Sequence, residues 1–310
     1  MFLLHRSRAL PVALSAAVVA SSLFMSGTAA AEPADRDDAT ALHSLSFPTD
    51  PRFTQLLGVN DHGVIAGYHG DQMTENTPNK GFTLKIDDNQ NKFTDENFPQ
   101  SAQTQVVGIN NAGDTVGFYI DSAANTHGFL KPYGEDAETK DLPGTTFNQL
   151  LGINNKGQEA RYFQDAAGLQ HAYVGEKGGS FLVLALPDPS SQATSINDKG
   201  TVVGFLQAAP SAPASKGFIL ENGKLTELQA FGSSFTQALS VNNSDDVVGS
   251  YVDATGVTKG FVYENGQYRS IEMQGAQSTV INGINNHAAL VGFFMDQNGN
   301  TIGLLGQRQG

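Results

Sequence analysis

Six times the chain writes the same phrase: "LLGVNDHGVIAGYHGD", "VVGINNAGDTVGFYID", "LLGINNKGQEARYFQD", "ATSINDKGTVVGFLQ", "ALSVNNSDDVVGSYVD" and "INGINNHAALVGFFMD". With the first Asn of each copy as marker, the copies fall at Asn60, Asn110, Asn154, Asn197, Asn242 and Asn285, spaced by 50, 44, 43, 45 and 43 residues. A period in the range of about 20–50 residues belongs to solenoids, propellers and arrays, where one copy cannot bury its own apolar face. The contents of a period decide among them. In the second copy "TQVVGI" is a short run rich in β-branched residues, "NNAG" a turn, and "DTVGFYI" a second run. A polar "DSAANT" follows, then "HGFLKPY", then "GEDAETKDLP", which holds a turn and a short fourth run. Four short strands fill each period, and helical periodicity is weak.

A four-stranded unit of about 45 residues is the size of a propeller blade. The expected fold is all-β: a six-bladed β-propeller with four antiparallel strands per blade. The last copy stops at "TIGLLGQRQG", after its third strand, while "ATALHSLSFP" (Ala39–Pro48) precedes the first copy and resembles the fourth strands "NKFTDENFP", "LVLALPDP" and "KLTELQAFG". This N-terminal segment is expected to pair with Thr301–Leu305 and close the ring, which covers strand edges that otherwise invite aggregation.

The repeated turn has a physical reading. Asn-Asn/Asp-x-Gly between strands suits a type I turn closed by a residue in the left-handed region. Gly63, Gly113, Gly157 and Gly200 fill that last place, with Asp245 and Ala288 in copies five and six. The recurring Asn is first a turn former; the alternative is a ring of amides facing a ligand.

The N-terminus carries a different signal. A basic "MFLLHRSR", an apolar "ALPVALSAAVVASSLFM" and a small-residue "SGTAAAEP" make a secretory signal peptide over residues 1–31, cut near Ala29–Ala31. Residues 32–38 read as a linker and 39–310 as the repeat domain. Cleavage removes Arg6 and Arg8 and no acid, which moves the formal charge from −13 to −15. Such a surface repels phosphate backbones and anionic lipid, so nucleic acid and membranes are poor partners. The chain has no cysteine, which excludes disulfides, thiol catalysis and thiolate metal sites. The expected form is a secreted, extracellular monomer without metal or cofactor.

The third strands read "KGFTL", "HGFLK", "HAYVG", "KGFIL" and "KGFVY", each trailing a G-[IV]-N-[ND]-x-G-like phrase. They resemble the HAF-repeat family of secreted bacterial proteins, named for a His-Ala-Phe triplet to which His171-Ala172-Tyr173 is the nearest match. The resemblance covers about residues 45–305. It implies an extracellular protein and brings no catalytic residues.

Candidate site residues come from breaks and echoes in the pattern. Acids end the second strand in five copies: Asp71, Asp121, Asp165, Asp253 and Asp296. Six positions on stand His127, His171 and Lys259, so Asp121–His127, Asp165–His171 and Asp253–Lys259 are expected to face each other across a hairpin. They are either cross-strand pairs or a charged rim that binds a ligand. "DQNGN" (296–300) reads as an Asx turn, since the remaining ligands of a calcium loop are missing. In the third copy Glu159 stands where the others have Ile65, Thr115, Val202, Val247 and Leu290. Arg161 stands where they have Gly67, Gly117, Gly204, Gly249 and Gly292. Two charges on one face of a packed strand need partners or water. His69 occupies a position that is aromatic or apolar elsewhere. No nucleophile elbow, phosphate loop or zinc motif is present. Two functions follow. One is a binding module for a glycan, polymer or protein on a propeller face. The other is a hydrolase or lyase with an acid/base site at the axis, drawn from Glu159, Arg161, His69 and His171.

Overall fold

The computed structural model describes residues 41–70, 78–86, 90–176 and 178–307. The signal segment, the linker and Asp71 lie outside the described residues. Within them the chain forms six four-stranded antiparallel sheets arranged as a six-bladed β-propeller, with no α-helix. Blade 1 is β2 (Thr54–Val59), β3 (Val64–His69), β4 (Lys80–Ile86) and β5 (Asn91–Asp95). Blade 2 is β6 (Gln103–Ile109), β7 (Thr115–Ile120), β8 (Thr126–Lys131) and β9 (Glu138–Thr139). Blade 3 is β10 (Asn148–Ile153), β11 (Glu159–Gln164), β12 (Gln170–Gly175) and β13 (Phe181–Val183). Blade 4 is β14 (Ser190–Ile196), β15 (Val202–Gln207), β16 (Lys216–Glu221) and β17 (Lys224–Leu228). Blade 5 is β18 (Thr236–Val241), β19 (Val247–Val252), β20 (Thr258–Glu264) and β21 (Gln267–Ile271).

Blade 6 joins the two ends of the chain. Its inner strands are β22 (Ser278–Ile284), β23 (Ala289–Met295) and β24 (Thr301–Gln307), and its outermost strand is β1 (Ala41–Leu45). The register runs from Ala41 opposite Gln307 to Leu45 opposite Gly303, two residues further along β24 than the sequence reading placed it. Leu45 is buried in the cluster that seals blade 6 onto blade 1, with Leu56, Ile65, Phe82, Leu84 and Val291. The closing strand therefore supplies both backbone partners for β24 and core.

Each blade bends where its innermost strand carries a register shift, as at Leu56/Gly58, Val106/Gly108 and Leu150/Gly152. Such a bulge curves the strand around the axis. At that point neighbouring blades nearly touch. A Cβ on Gly58 would lie 2.8 Å from the Val107 carbonyl oxygen, so the glycine is a spacing requirement.

The turn after each innermost strand follows the expected geometry. The residue in its last place has positive φ in all six copies, including Asp245 (66°) and Ala288 (59°). Asn60 shows why the first place is fixed. Its backbone N–H donates to the Val64 carbonyl (3.0 Å), and its Oδ1 accepts from the N–H groups of His62 (3.0 Å) and Val64 (2.9 Å).

Candidate functional site

The innermost strands surround an axial channel of about 1070 Å³, mouths included. One mouth is built by the six Asn turns. Each first Asn uses Oδ1 for its own turn and aims Nδ2 at the next blade. Asn60 donates to the Asn110 carbonyl (2.9 Å), Asn110 to Asn154 (3.4 Å), Asn154 to Asn197 (2.9 Å) and Asn197 to Asn242 (2.9 Å). Asn242 donates to Asn285 (3.3 Å), and Asn285 returns to Asn60 (3.0 Å). The ring of hydrogen bonds is closed. The turn-former reading of this Asn holds; the amides do form a ring, but they face the carbonyls of neighbouring blades where the alternative had them facing a ligand.

A second ring lies beside the first, formed by the next residue of each turn: Asp61, Asn111, Asn155, Asp198, Asn243 and Asn286. Each backbone N–H donates to the side-chain Oδ1 of the following member at 2.7–2.9 Å, again all the way round. The two acids belong to blades 1 and 4, on opposite sides of the axis. Asp61 Oδ2 accepts amide hydrogens from Asn111 (2.7 Å) and Asn286 (2.8 Å). Asp198 Oδ2 accepts from Asn155 (2.8 Å) and Asn243 (2.7 Å). Burial by itself would raise both carboxyls. The bonds from Asn111 and Asn286, and from Asn243 and Asn155, outweigh it and hold both below the usual carboxylate range. Both are ionised, and among the described residues no Lys, Arg or His lines the channel.

Further in, the wall turns mostly apolar, with Leu57, Val107, Leu151 and Leu239, and with Thr194 and Asn282 at the equivalent positions of blades 4 and 6. Toward the other end stand Gln55 and Gln105, each 4% exposed. Gln55 Oε1 accepts from the Tyr68 hydroxyl at 2.8 Å. The Gln105 amide has no hydrogen-bond partner among the described residues. Gln149, Gln192 and Gln237 repeat the residue in blades 3 to 5, and Val280 interrupts it in blade 6.

The residues singled out in the sequence lie elsewhere. Glu159 and Arg161 are an ion pair, 2% and 9% exposed, and neither lines the channel. The pair belongs to the face of blade 3 that meets blade 2, and Arg161 Nη1 donates to the Lys140 carbonyl (3.0 Å). Its guanidinium lies 5.7 Å from the centroid of Tyr173, which stands where other blades have Phe82, Phe129, Phe218 and Phe261. Gly175, opposite Glu159 on β12, makes the room: a Cβ there would come within 2.6 Å of Arg161 Nε and 2.8 Å of Glu159 Oε2. The expectation that this pair opens at the axis is corrected. It is a polar staple between two blades.

The hairpins at the opposite end of the blades carry the Asp pairs. His127 Nε2 lies 3.2 Å from Asp121 Oδ2, and its Nδ1 lies 2.6 Å from Asp141 Oδ2. Asp141 was not singled out from the sequence, because it lies on the far side of a third strand from its partner. Burial lowers His127, but the two carboxylates outweigh it and its pKa is raised. His171 Nε2 lies 2.8 Å from Asp165 Oδ2, and Lys259 Nζ 3.3 Å from Asp253 Oδ2. In each turn Asp Oδ1 also caps two backbone N–H groups, as Asp165 does for Ala167 and Leu169. The inner and outer turns thus share one cap. Asn is required where the second atom must donate to a carbonyl, and Asp serves where it must accept from a base or an amide. Asp296 caps Asn298 and Asn300 in the same way and binds the Asn300 amide with its other oxygen. His69 is stacked on Phe47, ring centroids 3.7 Å apart, and its pKa is lowered by burial. It sits in a packed aromatic cluster away from the channel.

No protein-family model and no curated protein sequence matches the chain. Solved structures share its fold. The SapL1 lectin in complex with alpha methyl fucoside superposes with a TM-score of 0.53 at 8% identity, over 83% of this chain and 96% of that one. AofleA from Arthrobotrys oligospora gives 0.51 at 11%, over 88% and 85%. TolB from Acinetobacter baumannii gives 0.50 at 11%, and there the match spans 85% of this chain but 66% of TolB. At such identities the likeness is one of fold alone.

Proposed function

We propose that the protein is a secreted binding module whose glycan, polymer or protein ligand engages the propeller at the axial mouth framed by the Asn turns. The observation that carries this reading is the chemistry of the channel lining. It presents amides, carbonyls, hydroxyls and apolar side chains, and among the described residues its carboxyl groups are those of Asp61 and Asp198. A general acid needs a raised carboxyl pKa. Amide donors hold these two carboxyls in the opposite direction. The lining therefore favours holding a ligand over hydrolysing or cleaving one. Export rests on the N-terminal segment and on the HAF-repeat resemblance. The lectin that shares the fold is an instance of a propeller used for binding.

The test uses protein recovered from culture medium. Wild type and Leu239→Trp, which fills the apolar part of the channel, are screened on immobilised glycans, polysaccharides and extracellular proteins. Circular dichroism checks that the fold is kept. Binding in wild type and its loss in Leu239→Trp are expected. Equal binding by both would overturn the axial location.

A further inference from the structure

We infer that the axial mouth recognises a primary ammonium on an unbranched aliphatic chain, carried by a free amine or by a lysine side chain; this rests on the axial-channel reading. Four observations combine. The second ring places two carboxylates on opposite sides of the mouth, and neither is neutralised by a basic residue of the lining. His287 and Lys156 act on them only as the weakest of the influences upon each. The rest of this ring is four Asn whose Oδ1 atoms each accept one backbone hydrogen and keep a second lone pair. An ammonium has three donors and no acceptor, so it matches a ring of carboxylate and amide oxygens.

Deeper, Leu57, Val107, Leu151 and Leu239 form four of the six sides of a sleeve that suits methylene groups, with Thr194 and Asn282 on the other two. Beyond the sleeve waits Gln105. It is 4% exposed, lines the same channel, and its amide has no hydrogen-bond partner among the described residues. Its amide faces the channel, so a ligand atom that reaches it meets a carbonyl oxygen and an NH2 group that the protein has not engaged. Gln55 and Asp61 stand six positions apart along β2 and the turn that follows it, roughly 15–20 Å of channel. A linear amine or polyamine can run from the charged mouth through the sleeve to this amide level. The same geometry disfavours a bare divalent ion, which takes six or more oxygens in one shell.

Titration calorimetry with a series of straight-chain diamines, with oligolysine and with calcium chloride tests this. The diamines are expected to bind with affinity rising about fourfold per methylene until the channel is spanned, and to weaken as salt rises from about 20 to about 200 mM. Asp61→Asn with Asp198→Asn should weaken binding at least about tenfold, and Leu239→Trp should abolish it. If the double variant does not fold, Asp61→Asn and Asp198→Asn singly must each weaken binding. Response to oligolysine together with the diamines points to a protein lysine as the source, and response to diamines alone to a free amine; both support the inference. Calcium binding with silent amines overturns it, as does amine binding that ignores the Asp substitutions. If amines are silent while Leu239→Trp still removes the ligand found by screening, the ammonium inference alone fails. If Leu239→Trp leaves all binding intact, the axial reading fails with it.

Discussion

Replacing Asn285 by Asp tests why the turns write Asn. The side chain is 6% exposed and closes the ring between blades 6 and 1. Asp is nearly isosteric, and its Oδ1 can still cap the N–H groups of His287 (3.0 Å) and Ala289 (2.9 Å). What changes is the atom facing the Asn60 carbonyl, from a donor at 3.0 Å to an acceptor. One net hydrogen bond is worth about 1 kcal/mol; the Asn60 carbonyl keeps the Gly63 N–H (3.1 Å), but the new carboxylate oxygen is buried against it without a donor, which costs about 1–3 kcal/mol more. The expected loss is about 2–4 kcal/mol, or roughly 5–10 °C in melting temperature for a chain of this size. The new carboxyl is buried against an oxygen, so its folded pKa lies above its unfolded value near 3.9. Protonated, it can donate again. The deficit should therefore be smallest below about pH 4 and grow as pH rises through the folded pKa. Asn285→Ala, which loses the caps as well, should be destabilised without that pH dependence. The assay is thermal melting of the three proteins between pH 3.5 and 8. A deficit in Asn285→Asp under about 1 °C, or one flat with pH, would refute the argument that the amide is needed as a donor.

Three further outcomes are expected. Deleting residues 32–48 removes β1, so burial of Leu45 is lost, worth about 2–3 kcal/mol, along with five cross-strand partners of β24; an unchanged melting curve would sink the closure argument. Glu159→Gln leaves the Arg161 guanidinium buried without its carboxylate and should cost about 3–5 kcal/mol, whereas Glu159→Val with Arg161→Gly, which restores the repeat phrase, should be neutral or stabilising. Urea denaturation decides, and a double variant as damaged as the single one would contradict it. His127 has a raised folded pKa, so its contribution to stability is complete below the ordinary value near 6.5 and is lost as pH rises through the folded value; His127→Gln should flatten wild-type stability between about pH 6 and 8, and an identical profile in both proteins would remove His127 as the titrating group.

The blades were legible because each carries its own signals: β-branched runs, a turn whose last residue needs positive φ, and a missing fourth strand that only β1 could supply. The staple was half legible. Glu159 and Arg161 stand out against five apolar or glycine copies, but the space for them comes from Gly175 on the neighbouring strand, which looks unremarked beside so many other glycines. The channel site was hardly legible. Asp61 and Asp198 read as ordinary turn residues, since Asp and Asn are interchangeable there as formers of the turn. Their opposition across the axis exists only after six copies are bent into a circle and counted as first and fourth. Gln105 hid for a related reason: a polar residue between apolar ones on a strand reads as facing solvent, and here that solvent is the channel.

Because Ala41 and Gln307 are direct partners across blade 6, the place where the described chain begins is an accident of connectivity. A circular permutant that starts at Thr54 and carries 41–53 after Gln307, joined by a two-residue Asn-Gly hairpin, keeps every pairing in the ring. In that chain all six blades are continuous in sequence, and the last strand no longer waits for the first. Refolding rates of the two forms would then separate the benefit of strand pairing from the delay of bringing distant ends together.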